Sequence, residues 1–150
     1  MVKIEVNMVT PDCVAALELY EKIFDGIERV EVTSFEKGQN EAVFLLNDLR
    51  VHLLDENQGF GLFAPSKGIP QNMWLNVIVP DIAKTFKNAV AAGCQEISPI
   101  SDMTDTFGVK NALFADPYGY IWMLHEIVRV VSFEDRVKAS EEMMANEQNG

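Results

Sequence analysis

One segment is written twice along this chain. Thr10-Pro11-Asp12-Cys13-Val14-Ala15-Ala16-Leu17-Glu18-Leu19-Tyr20 recurs as Val79-Pro80-Asp81-Ile82-Ala83-Lys84-Thr85-Phe86-Lys87-Asn88-Ala89. Each copy follows a short apolar strand, and each helical pattern ends near a glycine, Gly26 or Gly93. A second pair repeats as well: Glu41-Ala42-Val43-Phe44 through Val51-His52-Leu53-Leu54-Asp55-Glu56 matches Asn111-Ala112-Leu113-Phe114 through Ile121-Trp122-Met123-Leu124-His125-Glu126. Two diverged copies of one module imply an architecture whose working surface lies between the copies. In a chain of 150 residues each half alone would be marginal, so the two are expected to share one core.

Alternation makes Val2 to Val9 a strand, with Ile4, Val6 and Met8 on its apolar face and Glu5 and Asn7 on the other. Thr10-Pro11-Asp12 reads as a helix start, since proline is tolerated in a first turn and the oxygen-bearing side chains beside it can cap. Cys13, Ala16, Leu17, Tyr20 and Phe24 then recur at helical spacing and lay one stripe on a sheet. Three strands follow, Ile27 to Phe35, Glu41 to Leu46 and Leu49 to Asp55, with turns at Gly38-Gln39-Asn40 and Asn47-Asp48.

The same βαβββ order then restarts. Met73 to Val79 is a strand with Leu75, Val77 and Val79 on the apolar face and Trp74 and Asn76 opposite. Ile82, Thr85, Phe86, Ala89 and Val90 form the second helical stripe. Strands are expected around Glu96 to Pro99, Lys110 to Ala115 and Tyr120 to Ile127, with a turn at Asp116-Pro117-Tyr118-Gly119. Residues 1–131 thus read as a single domain of paired modules, 1–56 and 73–131, joined by a loop over 57–72. That loop carries Phe60, Leu62 and Phe63, and it is either a lid or simply the crossover between halves. Ser132, with Asp135 three residues on, starts a helical tail over 132–150, in which Val137, Met143 and Met144 are expected to dock on the body or on a second subunit.

A net charge of −11 argues against nucleic acid and anionic membrane surfaces as partners. Two cysteines, Cys13 and Cys94, one on each module, suggest a reducing compartment, and Cys13 falls on the apolar stripe as a small core residue. No basic-then-apolar leader opens the chain and no apolar run approaches membrane-spanning length, so the expected location is the cytoplasm.

No sequence-local catalytic signature is present. The repeat supplies candidates instead. Glu5 maps to Trp74 and Asn7 to Asn76 when the Pro-Asp pairs are superposed, which places all four opposite the apolar stripes, facing a cleft. Paired asparagines there would offer convergent donors and acceptors, and Trp74 a flat apolar face for a ring or a cation. The alternative is that these side chains are solvated on an open face.

The paired βαβββ modules, the helix with Tyr20 at its apolar centre and Asp116-Pro117-Tyr118-Gly119-Tyr120-Ile121-Trp122 resemble the vicinal oxygen chelate superfamily, which includes glyoxalase I, extradiol dioxygenases, fosfomycin-modifying enzymes and bleomycin-sequestering proteins. Leu54-Asp55-Glu56, Ala64-Pro65-Ser66, the aspartate-proline-aromatic-glycine turn followed by Trp122 and the Ser-started last helix are similar to its PhnB-like branch. Phe107-Gly108-Val109-Lys110-Asn111 departs from the tryptophan-glycine-aspartate-arginine stretch usual there, and Lys110 reads as a solvated strand-start residue. The resemblance implies an α+β fold of two βαβββ modules forming a curved, cleft-lined sheet, plus a C-terminal helix. It also implies a homodimer.

In metal-dependent members of that superfamily the ligands come from the first and last strands of each module, and by position they fall here on Glu5, His52, Trp74 and Met123. A gapless superposition pairs Leu53 rather than His52 with Met123, and a one-residue slip reverses the face; His52 is the preferred assignment. Trp74 cannot ligate, and the Met123 thioether is too soft for oxygen-preferring metals, so no metal or other cofactor is expected. His125 shares strand parity with Met123, whereas Trp122 belongs to the core. Glu5, Asn7, His52, Trp74, Asn76, Met123 and His125 are therefore the candidate ligand-binding residues, with Glu5 and His52 the candidates for catalysis as an acid–imidazole pair. Glu56 and Glu126 read as equivalent, solvated strand-end acids. Three functions stay open: a metal-independent small-molecule binder, an enzyme of this fold using metal-assisted or acid–base lyase or isomerase chemistry, and a dimeric protein with a vestigial cleft.

Overall fold

A computed structural model describes residues 1–66, 68–69 and 71–150. The first module runs β1 (Glu5–Thr10), α1 (Cys13–Ile23), β2 (Ile27–Val32), β3 (Glu41–Leu46) and β4 (Leu49–Asp55). The second runs β5 (Leu75–Ile78), α2 (Ile82–Ala91), β6 (Gln95–Met103), α3 (Thr104–Phe107), β7 (Val109–Ala115) and β8 (Ile121–Ile127), and α4 (Phe133–Gln148) closes the chain. The strands build two four-stranded sheets of the same order, β1-β4-β3-β2 and β5-β8-β7-β6. In each, the first strand pairs parallel to the last and the other pairings are antiparallel. The two copies thus share strand order, pairing and sense, with the short α3 added in the second: an α+β fold of paired βαβββ modules with a C-terminal helix.

The repeat persists at atomic detail. Asp12 caps α1 by accepting from the Ala15 N–H, and Asp81 caps α2 by accepting from the Lys84 N–H, each at 2.9 Å. The proline of each Pro-Asp pair precedes the cap rather than entering the first turn. A second acid reaches each helix start: Asp55 Oδ1 accepts from Cys13 N, and Glu126 Oε2 from Ile82 N, both at 2.8 Å. Asp55, not Glu56, is therefore the counterpart of Glu126. Neither Glu126 nor Glu56 is a merely solvated end, because Glu56 Oε2 accepts from Ala64 N and ties down the crossover loop. Carboxylates at helix N-termini also meet the positive end of the macrodipole.

One core serves both modules. Tyr20 on α1 packs with tilted rings against Phe44 from the first sheet (6.2 Å between centroids) and Trp122 from the second (5.1 Å). Cys13, Ala16, Leu17, Tyr20 and Phe24 are buried as their spacing requires, as are Ile82, Phe86 and Ala89 on α2. Burial pushes the Cys13 thiol up to about 12, with Asp55 adding to the effect, as befits a core residue rather than a reactive one. At the hub is Asp116, in the turn before β8. Its Oδ2 accepts from the Tyr20 hydroxyl (2.7 Å) and Trp122 Nε1 (3.0 Å), while Oδ1 accepts from the Tyr118 and Tyr120 N–H groups. Tyr120 completes the seam, exchanging hydrogen bonds with the main chain of Val9 on the edge of β1.

Several expected boundaries move. β1 starts at Glu5, and Ile4 lies before it, exposed rather than on the apolar face. β2 ends at Val32, leaving Phe35 in the following loop. β5 starts at Leu75, so Trp74 precedes the strand. Val90 is exposed, because the stripe of α2 is narrower than its sequence suggests. β6 runs four residues past its expected end because bulges absorb Pro99 without breaking the ladder. α3 was not anticipated; a left-handed Gly108 ends it, and the Gly108 carbonyl accepts from Val128 N and Arg129 N. A Cβ at residue 108 would overlap the Arg129 carbonyl, so only glycine fits this clasp. The Arg129 side chain donates back to the Thr104 and Asp105 carbonyls. α4 is capped by Ser132 and packs beside α3, while Val137, Met143 and Met144 stay exposed.

Candidate functional site

Strand parity assembles the first group of candidates. Val6, Met8 and Thr10 point to the helices, which leaves Glu5 and Asn7 on the open face of the first sheet. In β4, Val51, Leu53 and Asp55 are buried, so Arg50 and His52 share that open face. The ladders fix the register: Asn7 lies opposite His52 and Asn76 opposite Met123, which equates His52, not Leu53, with Met123 across the repeat.

Here the structure brings Glu5 and His52 together, with two residues the sequence did not single out. His52 Nδ1 lies 3.4 Å from Glu5 Oε1, and Nε2 lies 2.9 Å from Glu41 Oε2. The Arg50 guanidinium bonds the other Glu5 oxygen. That bond holds the Glu5 carboxyl below its ordinary range, against some desolvation, with His52 adding to it. Both imidazole nitrogens thus face carboxylate oxygen. An imidazolium can donate to both, whereas the neutral ring donates to one. Such a group can hold a proton between two acids or pass it to a bound molecule. Glu41 could have been found from the sequence: it opens β3 on the face that His52 shares, and its counterpart in the repeat is Asn111.

The second group lies on the second sheet. Asn76 is exposed on β5, and Met123 and His125 are half-buried on β8. Asn111 lies directly across from His125. The Asn111 Oδ1 and His125 Nδ1 atoms are both buried with no hydrogen-bond partner among the described residues. Because both sheets close on the Tyr20–Trp122 core through their helix sides, both candidate-bearing faces are turned away from it. Between the modules, a seam cavity of about 180 Å³ is lined by Asn7, Met8, Met73, Trp74, Tyr120 and Trp122, which brings Asn7 and Trp74 to one cavity. Trp74 is 53% exposed, so one side of the ring is open to a ligand.

Few of the candidate donors are free to hold a metal ion. Glu5 is engaged by Arg50, and the two His52 nitrogens diverge toward different carboxylates. Trp74 and Met123 stand at the remaining positions without a nitrogen or oxygen donor for an ion. Among the described residues, no group of three or more His, Cys, Asp or Glu side chains is arranged to hold a metal ion. No helix among the described residues is long and apolar enough to cross a membrane.

Comparisons with known proteins agree with this fold. The chain is 25% identical over 132 residues to the protein Rv0887c of Mycobacterium tuberculosis, covering 86% of this chain and 76% of that one. Among solved structures, the fosfomycin resistance protein FosX of Listeria monocytogenes, complexed with Mn(II) and 1S,2S-dihydroxypropylphosphonic acid, superposes with a TM-score of 0.64 at 15% identity, covering 92% of this chain and 98% of that one. The PhnB protein of Bacillus cereus gives a TM-score of 0.62 at 19% identity, covering 83% and 99%. At these identities the structures share the fold. The family model for the Glyoxalase/Bleomycin resistance protein/Dioxygenase superfamily matches residues 4–124, and the chain belongs to that superfamily.

Proposed function

We propose that this protein binds a small molecule on the open faces of its paired modules, in the manner of the bleomycin-resistance and PhnB-like members, without a catalytic metal. The observation that carries this reading is the donor set: two of the four positions where the superfamily holds metal are Trp74 and Met123, and the other two, Glu5 and His52, are committed to Arg50 and Glu41. FosX was crystallised with Mn(II); the residues here suit recognition of an organic molecule better than coordination of an ion. Glu5, Asn7, His52 and Trp74 would contribute from the first sheet and the seam, and Asn76, Met123 and His125 from the second. We place the protein in the cytoplasm, where Cys13 and Cys94, both free and buried, would remain reduced.

A second reading is favoured by one feature, the His52 ring set between two carboxylates. This geometry suits metal-free acid–base chemistry, with His52 relaying a proton between Glu5 or Glu41 and a bound molecule. Both readings put the ligand against His52. A thermal-shift panel of aromatic, cationic and phosphonate compounds, run with and without divalent metals, tests them. Stabilising hits should persist in chelator and be lost in His52→Ala or Trp74→Ala. Hits that appear only with added metal would overturn the metal-free reading.

The faces turned away from the core call for a partner. Ile78 and Ile127 on the second sheet, and Met143 and Met144 on α4, are exposed apolar side chains. We infer a homodimer that covers part of this surface and completes the cleft. Light scattering should return the dimer mass, and a monomer mass at every concentration would contradict it.

A further inference from the structure

The crossover segment that the sequence left as either lid or linker forms, over residues 57–62, one wall of a second cavity. A single 3-10 turn spans Gln58–Phe60 and ends at a left-handed Gly61. Asn57 and Leu62 exchange main-chain hydrogen bonds at 3.0 Å, so the loop closes on itself. The Asn57 amide donates to the Gly38 carbonyl at 2.8 Å and pins this loop to the β2–β3 connection. That connection is fixed in turn. Asn40 Oδ1 accepts from Phe35 N at 2.6 Å, and Asp55 Oδ2 accepts from Gly38 N and Asn40 N. Such a wall is too well tied to act as a freely swinging lid.

Between the two loops lies a cavity of about 470 Å³ at the end of the first sheet, lined by Phe35, Gln39, Glu41, Leu54, Phe60 and Leu62 among others. Phe35 and Phe60 are 66% and 80% exposed, although the backbone beneath each is held in place. Asn40 and Asp55 spend their polar atoms on the scaffold, as does the Asn57 amide nitrogen. The Glu41 carboxylate is the charged group that remains beside the neutral Gln39 amide: Oε2 meets His52, and Oε1 has no hydrogen-bond partner among the described residues. No Lys, Arg or His belongs to the lining among those residues. The recognition chemistry is therefore two phenyl side chains, one acid and neutral amide groups, in a chain of net charge −11.

We propose that this cavity takes a small organic cation, an alkylammonium group held against Phe35 and Phe60 with Glu41 as its counter-charge. Aromatic faces attract cations through their quadrupole, and quaternary ammonium groups are recognised in this way. An anion would be repelled by Glu41 and by the net charge, and a neutral apolar ligand would gain nothing from either. The inference rests on the reading that the first sheet's open face binds small molecules, and it adds the class of ligand.

Choline and its uncharged isostere 3,3-dimethylbutan-1-ol separate charge from shape. Calorimetric titration of the full chain should show saturable choline binding and at least tenfold weaker binding of the alcohol. Phe60→Ala and Glu41→Gln should each weaken choline at least fivefold, while Phe133→Ala, which removes an exposed phenyl from α4, should leave it unchanged. Phe60 is largely solvated, so its removal leaves the core intact. Equal binding of the alcohol, indifference to both substitutions, or no choline binding would overturn the proposal, as would a Phe60→Ala variant whose only change is loss of dimer mass. If choline fails while panel hits that depend on His52 persist, the cation site is wrong and the small-molecule reading stands.

Discussion

Replacing Asp116 with alanine is expected to lower the unfolding free energy by about 3–4 kcal/mol, roughly 10 °C in Tm for a domain of this size. The carboxylate is buried and accepts four hydrogen bonds, two from side chains and two from the main chain. Removing it leaves the Tyr20 hydroxyl and Trp122 indole N–H in an apolar core without an acceptor, and a lost partner costs more than a bond never made. The effect should exceed that of a local turn substitution, because Tyr20 comes from the first module and Trp122 from the second. A loss below about 1 kcal/mol would deny Asp116 this bridging role. The acid also carries a pH signature. Burial pushes its pKa up despite the bonds from Trp122, Tyr20 and the main chain. The folded protein thus keeps this proton to a higher pH than the unfolded chain, whose aspartates titrate near about 3.9. Ionising Asp116 costs stability as pH rises from that value through the raised folded pKa, and Asp116→Asn should remove this part of the pH dependence.

Trp122→Ala should cost about 4 kcal/mol. The indole is 1% exposed and lies 5.1 Å from Tyr20, 5.2 Å from Phe24 and 6.5 Å from Phe114 between ring centroids. Alanine would leave a cavity lined by three aromatic rings from both modules, and rings at such spacing rearrange poorly to fill it. Denaturant unfolding should remain a single transition shifted as a whole, because the modules share this core. A biphasic melt in which one phase keeps the wild-type midpoint would show instead that each module folds on its own core.

The sequence carried the module architecture because the repeat is local and periodic. Asp12 and Asp81 announce their helices, and the alternation in β1 and β5 separates Glu5, Asn7 and Asn76 from the buried side. What it did not carry is contact between residues far apart in the chain. Asp116 reads as an ordinary turn residue because its bond to Tyr20, like that of nearby Tyr120 to Val9, depends on how the modules dock. The pairing of Asp55 with Glu126 was hidden by a one-residue offset between the late strands, which only the ladders resolve. Glu41 and Arg50 carry no distinguishing signal by residue type because acids and arginines on strands are most often solvated, and α3 carries none because four residues give no helical period. The grouping of candidates follows the same line. Parity put Glu5 and His52 on a common face, but the distribution of the rest between seam and second sheet depends on the shared core.

The most direct test of the central claim, an open-face binding site built without a catalytic metal, is calorimetric titration of the purified, chelator-treated protein with Mn(II), Ni(II) and Zn(II). The donor set predicts no saturable one-to-one binding in the micromolar range. One ion bound per chain, with binding abolished by His52→Ala, would contradict the account.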